Sequence, residues 1–192
     1  MPARLFPWLW PMLFAAVISM IPFKSAAART EAEIIEVRTA QEDSAVKVSF
    51  SVRNCFTPEM EKAILSGVVT TFRFLAILEK PGPPLFAEKI VDVSFEHAIR
   101  YDRLRNEFVV TQQEHRHKVL TSGDLEEAKS WMSTVQDLSL IPLWRLSKGE
   151  TYQLALKAEL AKVRLPLFFR YIFFFVSLWD FETSWNKTPL TM

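Results

Sequence analysis

The sequence predicts a mainly β domain, an antiparallel sandwich or strongly curved sheet with two short helices. Three observations carry that expectation. Several stretches alternate apolar and polar residues with a period of two, the pattern of a strand with one wet face. Clusters of turn-forming residues separate those stretches at short intervals. Only two stretches combine helix start signals with a helical face.

Ile34 to Arg38 and Ala45 to Arg53 alternate; in the second run Val46, Val48, Phe50 and Val52 oppose Lys47, Ser49, Ser51 and Arg53. Gln41-Glu42-Asp43-Ser44 reads as the hairpin turn between them. The first helix is expected over Thr57–Gly67. Thr57 can cap it, Pro58 suits its first position, Glu59 and Glu61 favour its positive end, and Gly67 can close it. Val68 to Glu79 is rich in β-branched and aromatic residues and reads as a long strand, followed by a rigid turn at Lys80-Pro81-Gly82-Pro83-Pro84. Leu85 to Ile99 is the next strand, with Val91, Val93, Phe95 and His97 on one face. Tyr101 to Asn106 turns the chain, and Glu107 to Leu120 returns as one strand or two. Leu125, Ala128, Trp131, Met132 and Val135 share one helical face of the second helix, which Asp124 and Glu127 open in the manner of a capping box. Leu138 to Leu146 and Thr151 to Leu160 read as two further strands.

The tail is dense in aromatics from Leu165 to Trp179. From Trp179 it alternates: Trp179, Phe181, Thr183 and Trp185 take one face, and Asp180, Glu182, Ser184 and Asn186 the other. A buried strand emerging at Trp179 fits this pattern, and a short helix up to Leu178 is the alternative. Only nine uncharged residues separate Arg170 from Asp180, about half of what a membrane span requires.

The start of the chain predicts export. Arg4 precedes an uncharged stretch from Leu5 to Phe23, and Ala26 and Ala28 stand at the two small positions of an A-x-A cleavage site. Residues 1–28 are therefore expected to be a signal peptide, and residues 29–192 a single β-rich domain outside the cytoplasm, periplasmic in a bacterium. An uncleaved inner-membrane anchor is the rival reading, because the apolar stretch is nearly long enough to span and Trp8 and Trp10 suit an interface. Pro7, Pro11 and Pro22 interrupt it as a helix. The first 28 residues hold two of the 23 basic residues and none of the 22 acidic ones, so the remaining 164 carry a net charge of −1. That balance gives no support for nucleic-acid binding. One cysteine, Cys55, excludes an internal disulfide.

The constellations that could carry chemistry are weak. His115 and His117 are spaced to share a strand face, but a metal needs a third ligand. A hairpin about Asp102 is expected to put His97 opposite about position 107, far from His115, and Glu114, Arg116 and Lys118 look like a solvated strand. Asp180 and Glu182 could suggest a carboxylate pair, yet such acids need burial and these lie on a polar face. Cys55 precedes a helix start, where a thiolate would be favoured, but no histidine is near it in sequence. There is no P-loop, G-x-G-x-x-G or G-x-S-x-G, and the chain has four glycines. The expectation is no catalytic residue, no cofactor and no metal site, with Trp179, Phe181 and Trp185 as the interaction face. The partner is then an envelope protein or lipid. A small-ligand or lipid carrier with an aromatic-lined cavity is the alternative.

Three segments point further: Ile99-Arg100-Tyr101-Asp102-Arg103-Leu104-Arg105-Asn106-Glu107-Phe108-Val109-Val110, Leu125-Glu126-Glu127-Ala128, and Leu178-Trp179-Asp180-Phe181-Glu182-Thr183-Ser184-Trp185. With Lys148-Gly149-Glu150-Thr151-Tyr152 they resemble the bacterial family of unknown function DUF4390, over roughly Ile34 to Asn186. The resemblance implies an envelope protein with an N-terminal signal or anchor, and no catalytic residues to carry over.

Overall fold

The computed structural model describes residues 31–82, 88–161 and 181–192. The described residues form two antiparallel sheets and two short helices, as the periodicity predicts. Strands β1 (Glu33–Glu42), β2 (Ala45–Arg53) and β7 (Thr134–Pro142) make the smaller sheet, in the order β1-β2-β7. The larger has the order β6-β5-β4-β3-β8-β9, from β3 (Thr70–Lys80), β4 (Glu88–Asp102), β5 (Glu107–Gln112), β6 (Lys118–Ser122), β8 (Thr151–Leu160) and β9 (Asn186–Thr191). The inward faces meet through aromatic contacts. Phe50 of β2 sets its edge against Phe74 of β3 at 5.8 Å between centroids, and Phe74 stacks on Phe95 of β4 at 5.3 Å. Phe50, Phe72, Phe74, Leu78, Leu154 and Leu156 are fully buried, so the interior is packed with side chains. Every ladder described lies within residues 33–191.

The expected β2 faces hold, with Val46, Val48, Phe50 and Val52 buried. The hairpin turn is tighter than expected: Glu42 pairs with Ala45, and only Asp43 and Ser44 connect them, at φ +50° and +60°. Two left-handed residues give the twist that a right-twisted hairpin needs.

Helix α1 spans Pro58–Leu65 and buries Met60, Ala63 and Ile64. The Thr57 hydroxyl accepts the Met60 N–H at 3.2 Å. At the other end the Gly67 N–H bonds Ile64 O and the Val68 N–H bonds Ala63 O, a closure that needs Gly67 at φ +85°. Helix α2 spans Leu125–Ser133 and ends two residues before the expected Val135, which is buried on β7 instead. Its last carbonyls are claimed by side chains: Gln112 Nε2 donates to Trp131 O and His97 Nδ1 to Met132 O. Thr134 is already extended and pairs with Ser51. The capping box is modified too. Asp124 accepts the Glu126 N–H, but Glu127 binds the Ser122 hydroxyl, and that hydroxyl receives the Asp124 N–H.

Of the two alternatives for Glu107 to Leu120, the structure has two strands, separated by a turn over residues 113–117. Two other expectations about strands need correction. β7 starts at Thr134 and stops at Pro142, which has no N–H for a ladder; Leu143–Arg145 is a 3-10 turn. The run from Phe181 to Trp185 is not a regular strand: only Glu182 forms an isolated bridge, to Glu159, and β9 begins at Asn186. β9 carries Pro189 and lies at a sheet edge, where a missing N–H costs no ladder bond. Trp179, Asp180 and the strand-or-helix question over 165–178 lie outside the described residues.

Candidate functional site

A cleft of about 560 Å³ opens where three parts of the chain converge. One wall is Glu31 and Ala32 at the beginning of the described chain, the second is Asn54, Cys55 and Thr57 between β2 and α1, and the third is Phe181 to Trp185 with Lys157 of β8. The third wall is held by a mixed hydrogen-bond pattern. Leu160 N–H donates to Phe181 O at 3.0 Å, Thr183 N–H donates to Ala158 O at 2.9 Å, and the Thr183 hydroxyl accepts the Ala158 N–H at 3.0 Å. Side-chain capture by Thr183 replaces a ladder bond and explains why strand geometry fails here despite the alternation.

The expected interaction face is divided by this arrangement. Phe181 turns inward and meets Phe72 edge-on at 4.8 Å. Thr183 is buried, whereas Trp185 is 40 % exposed. Lys157 Nζ lies 5.5 Å over the Trp185 ring and pairs with Glu182. Sequence reading missed Lys157. Its position on β8 gave the available signal: with Gln153 and Glu159 it makes the polar side of an alternating strand.

Cys55 lies in the wall but not as a nucleophile. It is buried, its thiol donates to Val52 O at 3.5 Å, and burial pushes the thiol up to about 12. Lys129 lowers it only partly. A thiol so raised stays protonated at neutral pH. Glu182 is exposed and paired with Lys157, without the burial that raises a catalytic carboxylic acid.

The histidines are placed differently from the expectation. His97 pairs in register with Gln112, not with a residue near 107, because the β4–β5 turn is centred between Leu104 and Arg105. His115 and His117 lie in the turn after β5 rather than on one strand face, with His117 at φ +60°. Glu114 is not solvated; its side chain is 2 % exposed. His97 Nε2 lies 2.7 Å from Glu114 Oε1, and His115 Nε2 is 3.7 Å from the same oxygen. Because Nδ1 donates to Met132 O, one further proton is shared between Nε2 and the carboxylate. Burial would raise Glu114, but the hydrogen bond and charge of His97, with a backbone N–H and His115, outweigh it and hold the carboxyl below its ordinary value. Glu114 Oε2 is buried without a hydrogen-bond partner among the described residues. No group of three or more His, Cys, Asp or Glu among them is arranged to hold a metal ion. The cluster pins the turn after β5 to the end of α2.

A smaller cleft of about 440 Å³ lies between the helices, where Lys129 bridges Glu61 and Glu126 at 2.7 Å each. Burial would lower the Lys129 ammonium; the two carboxylates more than offset this and raise it.

The fold and these sites define an antiparallel β-sandwich with a packed core and an open, aromatic-edged cleft, and among the described residues no helix is long and apolar enough to cross a membrane. The model of the domain of unknown function DUF4390 matches residues 29–189, and the chain belongs to that family. No curated protein and no solved structure matches it.

Proposed function

We propose that this protein is exported to the cell envelope of a bacterium and acts there as a non-enzymatic binding module, with the Phe181–Trp185 lip of the cleft as its contact face. The observation that carries this reading is how the cleft's reactive groups are already used. Lys157 is paired with Glu182, the Thr183 hydroxyl accepts a backbone N–H, and the Cys55 thiol is buried and raised. Among the lining residues that remain exposed, beside Glu31, Asn54 and Ser184, Trp185 offers aromatic surface, which anchors complexes rather than moving protons. The carrier alternative is the weaker reading, because the aromatic residues Phe50, Phe72 and Phe74 fill a packed core and the cleft is open. The export half rests on the apolar stretch and the Ala26–Ala28 site.

Two measurements test it. N-terminal sequencing of the protein from its host should begin at Arg29; an N-terminus retaining Met1 would mean that the chain stays tethered. Capture from envelope extracts by immobilised residues 29–192 should recover one component, and Trp185→Ala should lose it. Equal recovery by both proteins would sink the assigned face.

A further inference from the structure

The position of the cleft relative to the aromatic-rich stretch of the tail adds a partner to this reading. Glu31, the first described residue, lines the cleft, and so does Phe181, whose carbonyl is bonded to Leu160 next to Ala161. Residues 162–180 therefore leave and rejoin the described fold beside this cleft. The sequence that joins there is distinctive: Leu165 to Trp179 carries one charge, Arg170, and seven aromatic residues. Among the exposed residues of that cleft, beside Glu31, Asn54, Glu182 and Ser184, the aromatic one is Trp185, with the Lys157 ammonium over its ring. Tryptophan and lysine are residue types that settle at the membrane–water interface, with apolar bodies against lipid and polar ends in water.

We propose that the cleft face, with Trp185 at its centre, docks on the surface of a phospholipid bilayer. This deepens the binding-module reading and rests on it. The charges around the face favour burial of apolar surface over electrostatic attraction. Arg53 is paired with Glu33, and Lys157 with Glu182, while Glu31 adds an acid. Docking should therefore need no anionic lipid and should survive high salt.

The test is flotation of residues 29–192, which contain every described ladder, with vesicles of phosphatidylethanolamine and phosphatidylcholine. The control residue is Trp144, 82 % exposed and beside Pro142, which pairs with Ala45 at the other end of β2. The nine residues of β2 separate it from the Arg53 end by about 30 Å. The protein should float equally in low and high salt, Trp185→Glu should reduce the bound fraction at least fivefold, and Trp144→Glu should not. Binding that only anionic vesicles support, or that both variants leave intact, overturns the proposal. So does a protein that stays monomeric in the dense fraction. A dense-fraction dimer that Trp185→Glu dissociates also overturns it, and identifies a second copy as the occupant. Capture of an envelope protein through Trp185 without flotation leaves the binding-module reading standing and removes the bilayer.

Discussion

The His97 cluster and the Trp185 cleft are two polar–aromatic constellations among the described residues, and they use the same kinds of group in opposite ways. His97 and Glu114 are sealed, at 0 % and 2 % side-chain exposure, and His97 has protein partners on both ring nitrogens. Lys157 and Glu182 form an equally direct pair, but Glu182 is 61 % exposed and Trp185 stands open beside them. A buried pair is costly when half of it is lost, because the other half is left buried and unpaired; a wet pair is worth little either way. The difference separates a cluster that holds the fold from a surface free to meet something outside it.

The largest expected effect comes from breaking the sealed cluster. Glu114→Ala strands His97 in an apolar setting and should cost about 3–5 kcal/mol in urea unfolding. Glu114→Gln keeps the shape and can donate to His97 Nε2, so it should cost no more than about 1 kcal/mol. Equal losses for the two variants would show that packing volume, rather than the hydrogen bond to His97, secures the end of α2.

The same cluster predicts an acid limit. The fold holds Glu114 below its ordinary value of 4.5, so its contribution is complete above that value and fades as the pH falls through the lower folded one. The stability gap between the wild type and Glu114→Gln should therefore shrink below about pH 4.5. Parallel stability–pH curves would contradict this. His115 faces the same carboxylate, so His115→Ala is the companion variant.

Thr57 sharpens the comparison from inside the cleft wall. Its hydroxyl is committed to the Met60 N–H at the start of α1. Thr57→Ala should cost about 1 kcal/mol, and Thr57→Ser should restore most of it. If capture or vesicle binding also fell with Thr57→Ala in the still-folded protein, the hydroxyl would belong to the contact face as well as to the cap.

Much of the fold was legible from local signals. The β2 alternation, the Thr57-Pro58 start and the Gly67 stop of α1 describe what those residues do in the structure, because each depends on neighbours in sequence. What was hard to read is what long-range partners decide. The end of α2 is set by Gln112 and His97, and the irregular path from Phe181 to Trp185 by the grip of Thr183 on Ala158. The His97 cluster depends on the exact turn: counting register outward from a turn over Arg103 to Asn106, with Asp102 opposite Glu107, puts Gln112 opposite His97 and Glu114 two residues further on. Burial of Glu114 was not legible, since Glu114-His115-Arg116-His117-Lys118 has the composition of a wet strand.

The smallest expected effect on stability is at Trp185, and that smallness is what makes the residue useful. Its ring is 40 % exposed and its recorded polar company is the Lys157 ammonium at 5.5 Å. An exposed cation–ring contact contributes about 0.5–1 kcal/mol, part of which Lys157 keeps through Glu182. Trp185→Ala should therefore shift unfolding by no more than about 0.5 kcal/mol. Phe181→Ala, which removes the ring packed on Phe72, should cost several times more. A Trp185→Ala loss as large as that of Phe181→Ala would mean that Trp185 is part of the core and not a contact surface. A near-silent Trp185→Ala in urea that nevertheless loses its partner would separate binding from folding at a single side chain.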